Sequence, residues 1–283
     1  MATAEQIKSL IRSHLSDQPE QFFTIALQVA AHEAKQGHQS LAHEIRSLVD
    51  KAKARPARVI PFTSDLDHLV LTSEPKERLG VLVQSDEMRV RIERILHEYR
   101  QKAKLEKHGL SHRRKILLAG PPGTGKTLTA AFLAGELGLP LFTILMDKLV
   151  TKFMGETSAK LRQIFDVIQE RRGVYLFDEF DAIGGERSRE NDVGEMRRVL
   201  NAFLQFIERD SSDSLIVAAT NNPRILDQAL FRRFDDVLHY HLPEKAEIER
   251  LIENRLGSFR SKKMQLETSA KIAESLSHAE IAQ

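Results

Sequence analysis

Apolar positions recur at helical spacing near both ends of this chain and gather into short unbroken runs in its middle. Ile7, Leu10, Ile11 and Leu15 fall at i, i+3, i+4 and i+8, one face of a helix. A second helix is expected over 21–35, with Phe22, Phe23, Leu27 and Val29, broken by Gly37; a third carries Leu41, Ile45, Leu48 and Val49. Residues 1–53 thus read as a small all-helical domain, either a docking module or a cap packed on the next domain. The stretch after it contains Pro56 and Pro61, several cations and no apolar period, so 54–74 reads as a linker. An amphipathic helix is expected over 86–104, with Val90, Ile92, Ile95 and Leu96 on its apolar face. Strand-like runs occur at 115–119, 141–145, 174–177, 215–219 and 237–241, with helices between them at about 126–136, 157–171 and 193–209. That alternation predicts an α/β domain over 75–242, a parallel sheet sandwiched by helices. After Pro243 the pattern is helical only, at 247–256, 267–276 and from 279, and predicts a helical lid over 243–283.

The first strand of this series, Ile116-Leu-Leu-Ala119, runs into Gly120, Pro121, Pro122, Gly123, Thr124, Gly125, Lys126 and Thr127, and then into the helical stretch opened by Leu128. Strand, glycine-rich loop and helix with the spacing GxxxxGK[ST] make a phosphate-binding loop. Glycines let backbone N–H groups close around phosphate oxygens, and the helix N-terminus adds partial positive charge. Lys126 can reach the β- and γ-phosphates, and the Thr127 hydroxyl can face Mg²⁺. Residues 120–128 are therefore the expected set for binding nucleotide phosphates.

Composition narrows the class. At 283 residues, with 41% hydrophobic and 29% charged residues, the chain reads as an ordinary soluble globular protein with room for a full core. A net charge of +2 gives no overall nucleic-acid or membrane signal. There is no cysteine, which excludes disulfides and thiolate metal sites. No apolar run is long enough to span a membrane, and the N-terminus lacks a basic region followed by an apolar core, so a cytoplasmic chain without a signal peptide is expected.

The run Val174-Tyr-Leu-Phe177 ends in Asp178 and Glu179. Nucleotide hydrolysis needs a carboxylate to hold Mg²⁺ and a group to orient and polarise the attacking water. Asp178 is the candidate for the first, with Thr127 beside it, and Glu179 for the second.

Together these stretches resemble the AAA ATPases, the classical branch of the AAA+ group, over about residues 75–283. Gly120–Thr127 and Phe177-Asp-Glu-Phe-Asp-Ala-Ile-Gly184 are typical of that family, and Leu215-Ile-Val-Ala-Ala-Thr-Asn221 looks like its sensor strand. The resemblance implies that Asn221 helps place the water. Ile225–Asp235 looks like the segment that carries the family's arginine finger, a guanidinium supplied to a neighbouring subunit's γ-phosphate. Arg233 matches the first finger; Asp236 stands where many members have a second arginine, and Arg232 is the substitute, so which arginine acts stays open. Ser277-His-Ala-Glu-Ile281 is similar to a lid motif that usually reads Ser-Gly-Ala-Asp, and the lid stops short of the family's usual further helix. Thr151-Lys152-Phe153-Met154-Gly155-Glu156 looks like the family's pore loop, in which the aromatic–hydrophobic–glycine set Phe153, Met154 and Gly155, flanked by Lys152, grips extended polypeptide. A second pore loop is a candidate at 184–191. Leu79–Asp86, which should help hold adenine, resembles the family only loosely.

The resemblance implies a homo-oligomer, a hexameric ring, using ATP and Mg²⁺ to remodel, unfold or translocate proteins through a pore. A separate protease or adaptor would dock on 1–53. Two alternatives remain: a nucleic-acid-associated motor or loader, and a nucleotide-dependent scaffold. The densest basic cluster, His112-Arg-Arg-Lys115, has no interleaved aromatics, so it offers bases no stacking platform. His108 with His112, and His239 with His241, have no carboxylate partner in sequence, and no HExxH or GxSxG occurs.

Overall fold

The structure, a computed structural model, describes residues 4–15, 19–54, 66, 68–75, 82–149, 154–182, 190–226, 228–259 and 266–283. The chain divides into two compact units, Met1–Pro61 and Phe62–Gln283.

The first unit holds α1 (Ala4–Leu15), α2 (Pro19–Lys35) and α3 (Gln39–Ala54). Alanine and valine let these helices approach closely: Ala26, Val29 and Ala30 of α2 are buried, as are Ala42 and Val49 of α3. Gly37, at φ 89°, takes the left-handed turn between α2 and α3, a conformation with no steric cost for glycine.

The second unit runs in the order β1 (Val70–Ser73), α4 (Asp86–Arg100), α5 (Lys102–Lys107), β2 (Lys115–Ala119), α6 (Lys126–Leu137), β3 (Leu141–Leu145), α7 (Met146–Leu149), α8 (Met154–Glu170), β4 (Val174–Asp178), α9 (Glu190–Arg209), β5 (Leu215–Thr220), α10 (Gln228–Phe231), β6 (Asp236–His239), α11 (Lys245–Leu256), α12 (Leu266–Ile272) and α13 (His278–Ile281). Its six-stranded sheet has the order β1-β3-β4-β5-β2-β6. All neighbours are parallel except β1, which pairs antiparallel with β3 through Val70 opposite Ile144.

Two expectations are corrected here. β1 lies inside 54–74, read as linker: four residues with one buried position carry too little pattern to announce a strand, and β3 supplies the partner. The single helix expected over 86–104 is two helices, interrupted at Gln101, whose φ of −100° and ψ of 12° leave the helical range.

Alternate residues of the strands enter opposite layers, as the two-residue pleat requires. Leu117, Tyr175, Phe177, Ile216 and Ala218 join α8 and α9 in one core layer. Ile116, Leu118, Val174, Leu176, Val217 and Ala219 join α4 and α6 in the other. Burial on both faces explains why the strands read as continuous apolar runs. In the first layer Phe203 meets Phe165, Phe177 and Phe180 with ring centroids 5.7, 5.1 and 4.6 Å apart. Phe177 immediately precedes Asp178, so this cluster sets the carboxyl end of β4. Phe203→Ala is expected to destabilise the second unit by about 3–5 kcal/mol, read as a lowered urea midpoint. A loss under about 1 kcal/mol would show that the layer repacks around the gap.

Candidate functional site

Parallel strands bring their carboxyl ends to one edge, and the chain leaves β2 toward β3 but crosses back from β5 to β6. The loop after β2 therefore opens into the crevice where open α/β sheets bind ligands. Gly123 and Gly125 take φ 72° and 94°, values a side chain would strain. Gly120 is excluded from substitution by space: a Cβ there would lie 2.3 Å from the Tyr240 carbonyl oxygen. The loop is thus held close against Tyr240, the residue that follows β6.

Lys126, the first residue of α6, is buried, and its Nζ donates to the carbonyls of Gly120 at 2.8 Å and Pro121 at 2.6 Å. Burial pushes its pKa below the usual lysine range, against the opposing pull of Asp178 and Asp181. An ammonium with little water around it, facing carbonyls it can exchange for stronger anionic acceptors, is suited to phosphate. Thr127 Oγ1 donates to Asp178 Oδ2 at 2.8 Å, and the Glu179 N–H donates to Asp178 Oδ1 at 2.9 Å. Thr127 and Asp178 present the hard oxygen donors that suit Mg²⁺. Among the described residues no group of three or more His, Cys, Asp or Glu could hold a metal by itself, so the cation's other ligands would be water and the nucleotide. Glu179 is exposed just beyond β4 and takes φ 53°, a left-handed conformation uncommon outside glycine. Asn221 follows β5, and its N–H donates to Asp181 Oδ1 at 3.0 Å.

A cavity of about 740 Å³ collects Pro122, Gly123, Gly125, Lys126, Thr127, Leu128, Asp178, Glu179 and Asn221. Gly120 and Pro121 line a smaller neighbouring cavity that also touches Asn221. Thr124 is buried within the loop and donates from Oγ1 to the Pro121 carbonyl at 2.8 Å. Arg232 and Arg233 are exposed after α10 and line neither of these cavities. Arg233 instead pairs with Glu208. Asp236, at the position of an expected second arginine, pairs with Arg91. Lys152 and Phe153 lie outside the described residues, as does most of the second pore-loop candidate. Met154 and Gly155, expected in a loop, open α8.

Several residues the sequence did not single out complete the site. Asp181 accepts from Thr220 Oγ1 at 3.2 Å as well as from the Asn221 backbone, and so joins the ends of β4 and β5. Its place in the Asp178–Asp181 run was the available signal. Gln84 donates from Nε2 to the Thr124 carbonyl at 3.0 Å and ties the Leu79–Asp86 segment to the phosphate loop. Tyr240 donates to Thr129 Oγ1 at 2.7 Å beneath α6. The lid's Ala279 N–H donates to the Gly123 carbonyl at 3.0 Å.

Comparison with known proteins agrees with this geometry. A family model described as ATPase family associated with various cellular activities (AAA) matches residues 116–242. An uncharacterized AAA family ATPase, y4kL, of Sinorhizobium fredii is 36% identical over 260 residues, 89% of this chain and 78% of that protein. The ATP-dependent zinc metalloprotease FtsH 1 of Salinibacter ruber is 42% identical over 47% of this chain and 20% of its own length. The proteasome-activating nucleotidase of Methanococcus maripaludis strain C7 is 34% identical over 62% of this chain and 45% of its own length. The last two matches thus span less than half of those relatives. No helix among the described residues is long and apolar enough to cross a membrane. With a complete phosphate loop, paired strand-end carboxylates and these relatives, the chain belongs to the AAA family and is an ATP-binding, ATP-hydrolysing enzyme.

Proposed function

We propose that this ATPase is a protein-remodelling motor, working as a hexameric ring in the cytoplasm and pulling polypeptide through a central pore. The observation that carries the hydrolytic half is the meeting of Lys126, Thr127, Asp178, Glu179 and Asn221 around one cavity. The protein-substrate half is supported by Phe153, directly before α8 in sequence, and by relatives named as an ATP-dependent protease and a proteasome-activating nucleotidase. α8 is held in the core by Leu161, Ile164, Phe165 and Ile168.

In this reading ATP binding draws Lys126 from the Gly120 and Pro121 carbonyls to the β- and γ-phosphates, while the loop N–H groups bind the remaining oxygens. Thr127 and Asp178 would hold Mg²⁺, which would supply positive charge beside those phosphates. Glu179 orients and polarises the attacking water, and Asn221, fixed by Asp181, keeps that water in line. Arg233 or Arg232 of a neighbouring subunit supplies positive charge on the open side of the γ-phosphate. The helical unit within 1–53 receives an adaptor, a client or a separate protease.

The test is steady-state ATP turnover of the full chain alone, with a permanently unfolded protein and with single-stranded DNA. Turnover is expected to rise with the unfolded protein and not with DNA. Stimulation by DNA alone would replace this reading with a nucleic-acid motor.

A further inference from the structure

The cavity has two chemically different ends. Lys126, Thr127, Asp178 and Glu179 form the polar one; Leu82, Val83, Leu251 and Ala279 line the other. With a triphosphate at the first, the base of the nucleotide falls at the second, where an apolar wall interrupted by Gln84, Asn254 and Arg255 suits a flat heteroaromatic ring. His278 also lines this cavity.

The position of His278 is set by its neighbours. Ser277 lies so close to the phosphate loop that a Cβ on Gly123 would come within 2.5 Å of its Oγ, and Ala279 donates its N–H to the Gly123 carbonyl at 3.0 Å. Ser277 and Glu280 form a reciprocal capping box that opens α13. The imidazole between these two anchored residues is consequently carried to the cavity wall by the lid.

Two other polar side chains near this end each make one hydrogen bond within the chain. Gln84 Nε2 donates to the Thr124 carbonyl, and Arg255 Nε donates to the Ala282 carbonyl at 3.1 Å. By contrast, Nδ1 and Nε2 of His278 are both closed to water, and neither makes a hydrogen bond of normal geometry among the described residues. Burial lowers its pKa, outweighing Glu247 and the Val83 backbone, which both raise it. A neutral imidazole has one donor and one acceptor nitrogen, and leaving both unpaired in a desolvated place is costly.

We propose that His278 is the residue through which the lid selects the nucleobase: a turn of the side chain pairs one of its ring nitrogens with the base edge. The proposal rests on reading this cavity as the ATP site. It makes His278 a specificity-determining residue and leaves hydrolysis to Glu179.

The test is calorimetric binding of ATP, GTP and inorganic tripolyphosphate to the full-length protein, His278→Ala and His278→Asn. His278→Ala is expected to weaken ATP binding about tenfold and to shrink the ratio of ATP to GTP affinity at least about threefold. Tripolyphosphate binding should stay within about twofold, since it makes no base contact, and His278→Asn should restore part of the ATP preference. An unchanged ATP to GTP ratio in His278→Ala would overturn the proposal. So would an equal loss of all three ligands, which would assign His278 to lid docking alone. Failure of the unsubstituted protein to bind ATP would instead remove the underlying reading of the cavity, and the proposal with it.

Discussion

Glu179→Gln is expected to leave ATP binding intact and to lower turnover by about two orders of magnitude or more. The substitution keeps the side chain's length and volume and removes only its capacity to accept a proton. The backbone at Glu179 is fixed independently of that carboxylate. Its N–H donates to Asp178 Oδ1 at 2.9 Å, and the next residue, Phe180, is fully buried against Phe203. Those anchors hold residue 179 at φ 53°, a conformation that costs of order 1–3 kcal/mol for a non-glycine residue. Glutamine should adopt the same backbone, so a lost rate would report lost chemistry. Calorimetric ATP titration and steady-state phosphate release separate the two quantities. Turnover within about threefold of the unsubstituted protein would withdraw the role given to Glu179.

The second large effect expected is from Arg233→Ala, a fall in turnover of about a thousandfold with ATP binding retained. Arg233 lines neither of the two cavities at the phosphate loop, so it would act on the nucleotide of a neighbouring subunit. Its backbone is nonetheless fixed. The Arg233 N–H donates to the Leu230 carbonyl at 3.0 Å, and Phe234 beside it is buried in the core. The Asp235 carboxylate accepts the N–H groups of Arg114 and Lys115, both at 2.9 Å. The ion pair with Glu208 joins two side chains that are 41% and 54% exposed, and a pair so open to water yields easily to a phosphate. Arg232→Ala should reduce turnover by no more than about tenfold. Mixing Arg233→Ala and Glu179→Gln chains tests the arrangement directly. Each lacks what the other supplies, so mixed rings should recover turnover that neither shows alone. No recovery, with equal losses for the two arginines, would reject a finger at Arg233.

Three strand ranges show why the sheet is legible in the sequence. Lys115–Ala119 and Leu141–Leu145 agree with their apolar runs residue for residue, and Val174–Asp178 adds only the carboxylate at its end. Each lies between helices and is buried on both faces, so burial is written into most of its positions. The apolar pattern starts β6 one residue late and ends it two residues late, at 237–241 instead of Asp236–His239. It is an edge strand with a single buried residue, Leu238, and its register comes from pairing with β2. β1 escapes the pattern for the same reason.

What the sequence by itself determined is the local chemistry: a phosphate loop between a strand and a helix, and two carboxylates at the end of another strand. Those features depend on backbone freedom and neighbour spacing, which are properties of adjacent residues. Tertiary structure alone decided which distant groups complete them. Asp181 joins β4 to Asn221 through space, Gln84 reaches Thr124 across 40 positions, and the lid turn at Ser277–Ala279 settles on Gly123. No periodicity records such meetings, because each depends on packing two elements whose separation along the chain carries no information about their distance.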